Sequence, residues 1–474
     1  MKKKIAALLI CAITIGTVGC GSSSGAGEET ETIKGQESEA EVASAAASET
    51  GDSPVEVVWW TYFSDPFLGY VQNIVDDFNN SQDNYHVTVE YQGDQSELNA
   101  KIQSTAKEDL PALFSGAVEN VAMYAGADYC APLQPYVDAD KAGWSELDST
   151  WEAIRSAYCD NEENQIGYPM GFSYPGIFYN ADMLKEAGVD PSGIKSYTDL
   201  YDACETLVGG GYTTYGVGFH KDGYYFNAAL GREGIQAYNN DNGLGSEQIT
   251  ECLYTSDEKV HDAIYNMLDV YQKLHAENLC VPFGSDYQTE IMPQLASGDC
   301  AMMMGVVSMT NRVLEAVNGS FEVGIIPMIS ATEDGKRTGE PAGGTGTFIG
   351  NNGNKEEMQG AYEFIKFASS GDQAAYFATQ TGYLAPNQDA YDAEEYQKYV
   401  SDTFPAVKAI YDSLSKSDDS ALNPYIPISN EMKDANLLAI ETVSADPNAD
   451  IDNAIQTAEE SIQDAIDLYN DSNN

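Results

Sequence analysis

Residues 55–63 read VEVVWWTYF, a run of β-branched and aromatic side chains that marks a strand. Leu68, Val71, Ile74, Val75 and Phe78 then recur at helical spacing, and residues 86–91 alternate like a second strand. A helix over about residues 96–107 and the apolar Pro111-Ala112-Leu113-Phe114 continue the rhythm. Strand, helix and strand in this order predict a parallel α/β sheet covered by helices. Further out the pattern returns in residues 176–179, a helix over 198–208, and strand-like runs at 214–219, 301–307, 321–328 and 347–349. From Glu356 onward the chain reads as mainly helical. Its last helix carries Ile451, Ile455, Ala458, Ile462 and Ile466 on one face.

The chain has 474 residues, enough for two or three domains with a sizeable core in each. Only 23 Lys and Arg stand against 75 Asp and Glu, a formal net charge of −52. That balance excludes a nucleic-acid partner, because a phosphate backbone needs cationic side chains to displace its counterions. It equally disfavours a basic patch on an anionic membrane. The 31 Tyr residues are the second departure from ordinary composition.

At the start, Lys2, Lys3 and Lys4 precede an uncharged apolar run over residues 5–19, too short for a comfortable membrane span. The run ends in Thr17-Val18-Gly19-Cys20, which resembles the lipobox of bacterial lipoproteins. The expectation is a signal peptide over residues 1–20 with lipidation at Cys20. Residues 21–53 are rich in Ser, Gly, Ala and Glu and read as a flexible tether of about 30 Å. Folded domain beside a membrane, outside the cytoplasm, is the resulting expectation. Six further cysteines, Cys130, Cys159, Cys204, Cys252, Cys280 and Cys300, leave their pairing open, and no CxxC is present.

There is no Walker A loop, GxGxxG or HxxxH spacing. Asn448, Asp450, Asp452 and Glu459 fall at the first, third, fifth and twelfth positions of a calcium loop. Asn453 stands where that loop needs Gly, so Asp450 is expected to cap the final helix instead. No metal and no cofactor are expected. Among 75 acids a carboxylate pair for glycoside hydrolysis is always available, so none is informative.

Several segments in register resemble the extracellular solute-binding proteins, family 1, of ABC importers. They are Gly176-Ile177-Phe178-Tyr179-Asn180 with Met183 to Gly188, Ser196-Tyr197-Thr198-Asp199-Leu200, and Ser297-Gly298-Asp299-Cys300-Ala301-Met302. Pro341-Ala342-Gly343-Gly344 and Gln380-Thr381-Gly382-Tyr383-Leu384-Ala385-Pro386 complete the set. The nearest branch binds sn-glycerol-3-phosphate and oligosaccharides. The resemblance implies a two-lobe periplasmic-binding-protein-like fold (type II), with a hinge between lobes and the ligand in the cleft. It places residues 54–169 with 301–350 in lobe 1, residues 170–300 with 351–474 in lobe 2, and crossings near Met170, Ala301 and Gly350. It also implies ligand contacts at Trp60, Gln95, Glu119, Ser173, Ser308, Gly343, Gly344 and Tyr383. The Arg of the glycerol-3-phosphate branch has no counterpart, since Asn423-Pro424-Tyr425-Ile426-Pro427 is uncharged.

Sugars present flat C–H faces to aromatic rings and hydroxyl rims to polar groups, a match for Tyr and Trp. Trp59 and Trp60 must point to opposite sides of their strand, and Trp60 is taken as the cleft residue, with Tyr62 beside it. Tyr224 or Tyr225 serves the second lobe, with Arg232 as a polar contact. The resulting expectation is a non-enzymatic, monomeric, lipid-anchored binding protein that delivers a neutral carbohydrate to an ABC permease. Glycerol-3-phosphate or a glycerophosphodiester is the alternative ligand, and a cell-surface glycoside hydrolase the alternative class.

Overall fold

The computed structural model describes residues 53–473 apart from 246, 333–338, 340 and 418–422. The expected signal peptide, Cys20 and nearly all of the tether lie outside the described residues. Among the described residues, ten strands form two sheets, both within the contact unit Val42–Asn474. The first sheet contains β1 (Val55–Thr61), β2 (Tyr85–Tyr91), β3 (Leu113–Ala117), β4 (Cys130–Ala131) and β5 (Gly167–Ser173). The second contains β6 (Pro175–Asn180), β7 (Tyr215–Phe219), β8 (Cys300–Val306) and β9 (Val323–Pro327). The last strand, β10 (Gly343–Gly350), returns to the first sheet and pairs antiparallel with β3, β4 and β5.

The opening run folds as read. β1 pairs in parallel with both β2 and β3. The helix Phe67–Ser81 between β1 and β2 buries Val71, Ile74, Val75 and Phe78, four of the five residues that carried its periodicity, and leaves Leu68 half-buried. Trp59 is fully buried, and its indole nitrogen donates to Ser115 Oγ at 3.1 Å. In the sheet centre Phe348 of β10 lies opposite Phe114 of β3, their rings stacked at 5.5 Å, with Tyr124 at 4.7 Å. The final helix, Ile451–Asn473, buries all five of its patterned residues against the second lobe's core.

The sheets divide the chain differently from the expected lobe boundaries. β6 hydrogen-bonds to β8 on one side and β9 on the other, so both belong to the second sheet. Within residues 301–350 only β10 returns to the first. The helices Lys355–Ala368 and Gly371–Thr381 then pack on the first sheet: Tyr362, Phe364 and Phe377 share a buried cluster with Val57 and Trp59. The crossing near Met170 falls close by, at Tyr174 between β5 and β6. No crossing occurs at Ala301, which sits inside β8; the second sheet's last strand ends at Pro327 and the chain is back in the first sheet at Gly343, before Gly350.

Asp450 does cap the final helix, accepting from the Asn453 amide at 3.2 Å. Asp452 faces His261 at 3.1 Å and Glu459 accepts from Thr255, so these acids do not converge as a calcium loop would require. The six cysteines among the described residues are free thiols.

Truncating Phe348 to Ala removes the ring on which Phe114 and Tyr124 converge. Unfolding in urea is expected to show a loss of about 3–5 kcal/mol.

Candidate functional site

Between the two sheets lies a cavity of about 170 Å³, and both lobes contribute to its wall. Its floor is built where the chain crosses. Gly343 and Gly344 at the start of β10 pair with Ser173 and Phe172 at the end of β5. Gly344 has a φ of 111°, in the region that favours glycine, and a Cβ there would stand 2.3 Å from the Gly171 carbonyl oxygen. Ser173 Oγ accepts from the Ser308 amide at 3.1 Å, tying the floor to the segment after β8.

The first lobe supplies Tyr62, just beyond β1, Gln95, at the start of the helix Gln95–Ser104, and Glu119, in the turn after β3. Tyr62 donates to Thr345 Oγ1 at 2.6 Å, and burial holds its phenol well above the ordinary pKa. Tyr383 stacks on Phe377 at 5.7 Å, and burial pushes its phenol up to about 12. Both hydroxyls therefore stay protonated; the Tyr62 proton is committed to Thr345, so its oxygen can only accept from a ligand.

The second lobe supplies His220, Asp222 and Tyr224 from the segment that follows β7. Gly223 packs closely against the helix Ser429–Ala445; a Cβ there would lie 2.0 Å from the Lys433 carbonyl oxygen. The Asp222 carboxylate accepts from the Tyr224 amide at 2.9 Å, and the Tyr224 hydroxyl donates to the Ala342 carbonyl at 3.2 Å. Burial lowers the His220 pKa, outweighing the nearby Asp222 and Asp286 carboxylates, so the ring is neutral at pH 7. Its Nδ1 lies 2.9 Å from the Tyr225 hydroxyl.

One ion pair joins the lobes at the cavity edge. Lys433 Nζ stands 3.1 Å from Glu119 Oε1, and the two side chains are only 18% and 17% exposed. The Glu119 charge raises the Lys433 pKa, with burial opposing it. Beside this pair Ser429 hydrogen-bonds Asn120, a second link between the same two elements. At another edge, Arg312 lies over the Phe67 ring at 4.9 Å and donates to the Tyr287 hydroxyl at 3.0 Å.

Nine of the twelve expected residues line the cavity: Tyr62, Gln95, Glu119, Ser173, Tyr224, Ser308, Gly343, Gly344 and Tyr383. Trp60 does not. It lies in the buried cluster that includes Leu98, Ile102 and Phe114, with Lys101 Nζ 4.0 Å above its ring. Tyr225 is buried behind the wall and positions His220. Arg232 is buried too, and its guanidinium holds the Gly339 carbonyl and Ser413 Oγ. Ala117, Tyr174, His220, Asp222 and Val306 line the cavity without having been singled out. A usable signal existed for His220 and Asp222, since the carboxyl ends of parallel strands are where α/β sheets collect ligands.

Two α/β lobes joined by crossing segments, with a polar and aromatic cavity between them, define the class of two-lobed binding proteins. The chain belongs to the bacterial extracellular solute-binding protein family, whose model matches residues 73–405. It is similar to the sn-glycerol-3-phosphate-binding periplasmic protein UgpB of Escherichia coli (strain K12), 22% identical over 414 residues, 84% of this chain and 88% of that protein. Among solved structures it resembles the sugar-binding protein MalE from Xanthomonas citri, with a TM-score of 0.71 and 15% identity over 88% of this chain and 98% of that one. The cyclic alpha-maltosyl-1,6-maltose binding protein from Arthrobacter globiformis gives 0.66 and 18% over 87% and 99%. The acarbose-binding GacH receptor of Streptomyces glaucescens gives 0.69 and 19% over 88% and 99%.

Lys433→Met strips the buried Glu119 carboxylate of its counter-charge and is expected to cost about 3–5 kcal/mol in chemical unfolding. Adding Glu119→Gln to that variant is expected to restore most of the loss.

His220 gives a pH-dependent expectation. Its pKa is lower folded than unfolded, so the unfolded state binds the proton first and the penalty on folding grows below about pH 6.5. The stability difference between the parent protein and His220→Gln is therefore expected to be flat from pH 7 to 8 and to shift against the parent on acidification.

Proposed function

We propose that this protein is the solute-binding component of an ABC importer and that its cavity takes an uncharged oligosaccharide. One observation carries the ligand class: among the described residues the lining contains two carboxylates and several tyrosines but no Lys or Arg. Glu119 is already neutralised by Lys433, and Asp222 leaves net negative potential at the wall. A phosphate entering that space would be repelled, whereas sugar hydroxyls donate to carboxylates and accept from phenols. The solved relatives whose names refer to maltose derivatives, maltotriose or acarbose support the same reading.

The second reading, glycerol-3-phosphate, rests on the printed function of the curated relatives. Against it stands the uncharged segment Asn423 to Pro427, together with the lack of Lys and Arg among the described lining residues. The protein would bind and release its ligand without altering it. Lipidation at Cys20 and the acidic tether would hold it, as a monomer, at the outer face of the cell membrane; the basic head, short apolar run and small-residue site before Cys20 support this.

Calorimetry against neutral di- to hexasaccharides and against glycerol-3-phosphate tests the proposal. Binding of a neutral sugar with no heat from glycerol-3-phosphate is expected, and the reverse result overturns the ligand class. Tyr383→Ala is expected to weaken sugar binding at least tenfold, about 1.4 kcal/mol. Release of shorter products from the bound sugar would make the protein an enzyme instead.

A further inference from the structure

The segment after β7 gives the cavity wall three polar side chains, His220, Asp222 and Tyr224. The Asp222 carboxylate accepts, and the Tyr224 hydroxyl already gives its proton to the Ala342 carbonyl. Whether this stretch of wall can donate to a ligand oxygen therefore turns on His220. A neutral imidazole has one donor nitrogen and one acceptor nitrogen, and the hydrogen bond made by one decides the role of the other.

Tyr225 settles which nitrogen carries the proton. It is only 1% exposed, and among the described residues its hydroxyl makes one hydrogen bond, to His220 Nδ1 at 2.9 Å. With the ring proton on Nδ1, the buried phenolic hydrogen would have no acceptor, an arrangement that native interiors avoid. The pair is satisfied when Tyr225 donates and Nδ1 accepts, which leaves the ring proton on Nε2. That nitrogen lies across the ring from Tyr225, has no partner among the described residues and is not sealed from solvent. Tyr287 braces the imidazole from a second side, edge-on at 4.7 Å, with its own hydroxyl held by Arg312 at 3.0 Å.

We infer that Tyr225 is a positioning residue for ligand binding: its hydroxyl holds His220 as the Nε2–H tautomer, and that N–H donates to a ligand oxygen beside the acceptor Asp222. This rests on the carbohydrate reading above. It adds that the unit held by the second lobe offers an accepting oxygen and a donating hydroxyl side by side, as the neighbouring hydroxyls of a sugar do. His220 ends β7 and Tyr225 lies in the first turn of the helix Tyr224–Arg232, so the pair is assembled within the second lobe before any ligand arrives.

The first test needs no ligand. The full chain has four histidines, so proton–nitrogen correlation spectra of protein labelled at histidine nitrogen can be assigned with His220→Gln. The parent protein is expected to show His220 protonated at Nε2 alone, and Tyr225→Phe to show a mixture of tautomers. A proton on Nδ1 in the parent overturns the inference, as does an unchanged single tautomer in Tyr225→Phe. The second test is calorimetry with maltose, maltotriose, cellobiose and xylobiose. For whichever binds, His220→Ala is expected to weaken affinity about tenfold and Tyr225→Phe about threefold, the range of one hydrogen bond. In the His220→Ala background, Tyr225→Phe is expected to have no further effect. Equal weakening by Tyr225→Phe in both backgrounds shows that Tyr225 acts through packing and overturns its positioning role. Absence of binding to every saccharide overturns the carbohydrate reading, whereas the spectra decide the tautomer independently.

Discussion

The pairing of Gly343 and Gly344 with the end of β5 is the constraint on which the site depends. The first sheet can be completed only if the chain leaves it after Ser173, builds the second sheet, and comes back beside the strand it left. Departure and return are therefore hydrogen-bonded neighbours. That one ladder fixes the position of both crossings and makes them the floor of the interlobe space. It also demands glycine: a side chain at 344 would meet the β5 backbone, and a Cβ at 343 would stand 2.9 Å from the Tyr224 hydroxyl of the other lobe. The floor is consequently bare backbone, which lets walls from two separate lobes converge on it.

Charge placement follows a related logic. With 23 basic side chains against 75 acidic ones, a cation withdrawn from the surface is conspicuous. Lys433 is withdrawn to the lobe interface, where desolvating it is unfavourable unless Glu119 is present. The pair adds little as generic stabilisation, because replacing both members by neutral groups would remove the desolvation cost as well. Its effect is positional. It holds a carboxylate of the first lobe against a helix of the second, at the rim of a cavity that needs hydrogen-bond acceptors facing inward.

The sequence made the first sheet legible because its strands and covering helices alternate without interruption, and the VEVVWWTYF run with its following helix needed no tertiary information. Residues 301–350 were harder: three strand-like runs in succession carry no local sign of which sheet each joins, and strand pairing is a long-range choice. The site divides similarly. Ser173, Gly343, Gly344 and Tyr383 were reachable because backbone turns leave a motif. Trp60 and Tyr62 share a parity, so periodicity could not separate the ring packed among Leu98 and Ile102 from the ring beyond the strand end. Arg232 was misread for another reason: a buried guanidinium that satisfies backbone carbonyls looks, in sequence, like one that meets a ligand.

Lining residues from both lobes give the cavity its thermodynamic role. A ligand touching only one lobe has equal affinity for open and closed forms and shifts nothing between them. Here Tyr62, Glu119 and Tyr383 lie on one side and His220, Asp222 and Tyr224 on the other, so a bound sugar would gain the second set only on closure. Glu119 couples the two events most directly, because the same carboxylate that faces the ligand is held by Lys433 across the interface. Moving the lobes from 1% to 99% closed requires about 5.5 kcal/mol of differential binding. A few charge-assisted hydrogen bonds at roughly 1.5–3 kcal/mol each reach that figure, which is why a cavity walled by acids and phenols, rather than by apolar surface, suits a protein whose ligand must also close it.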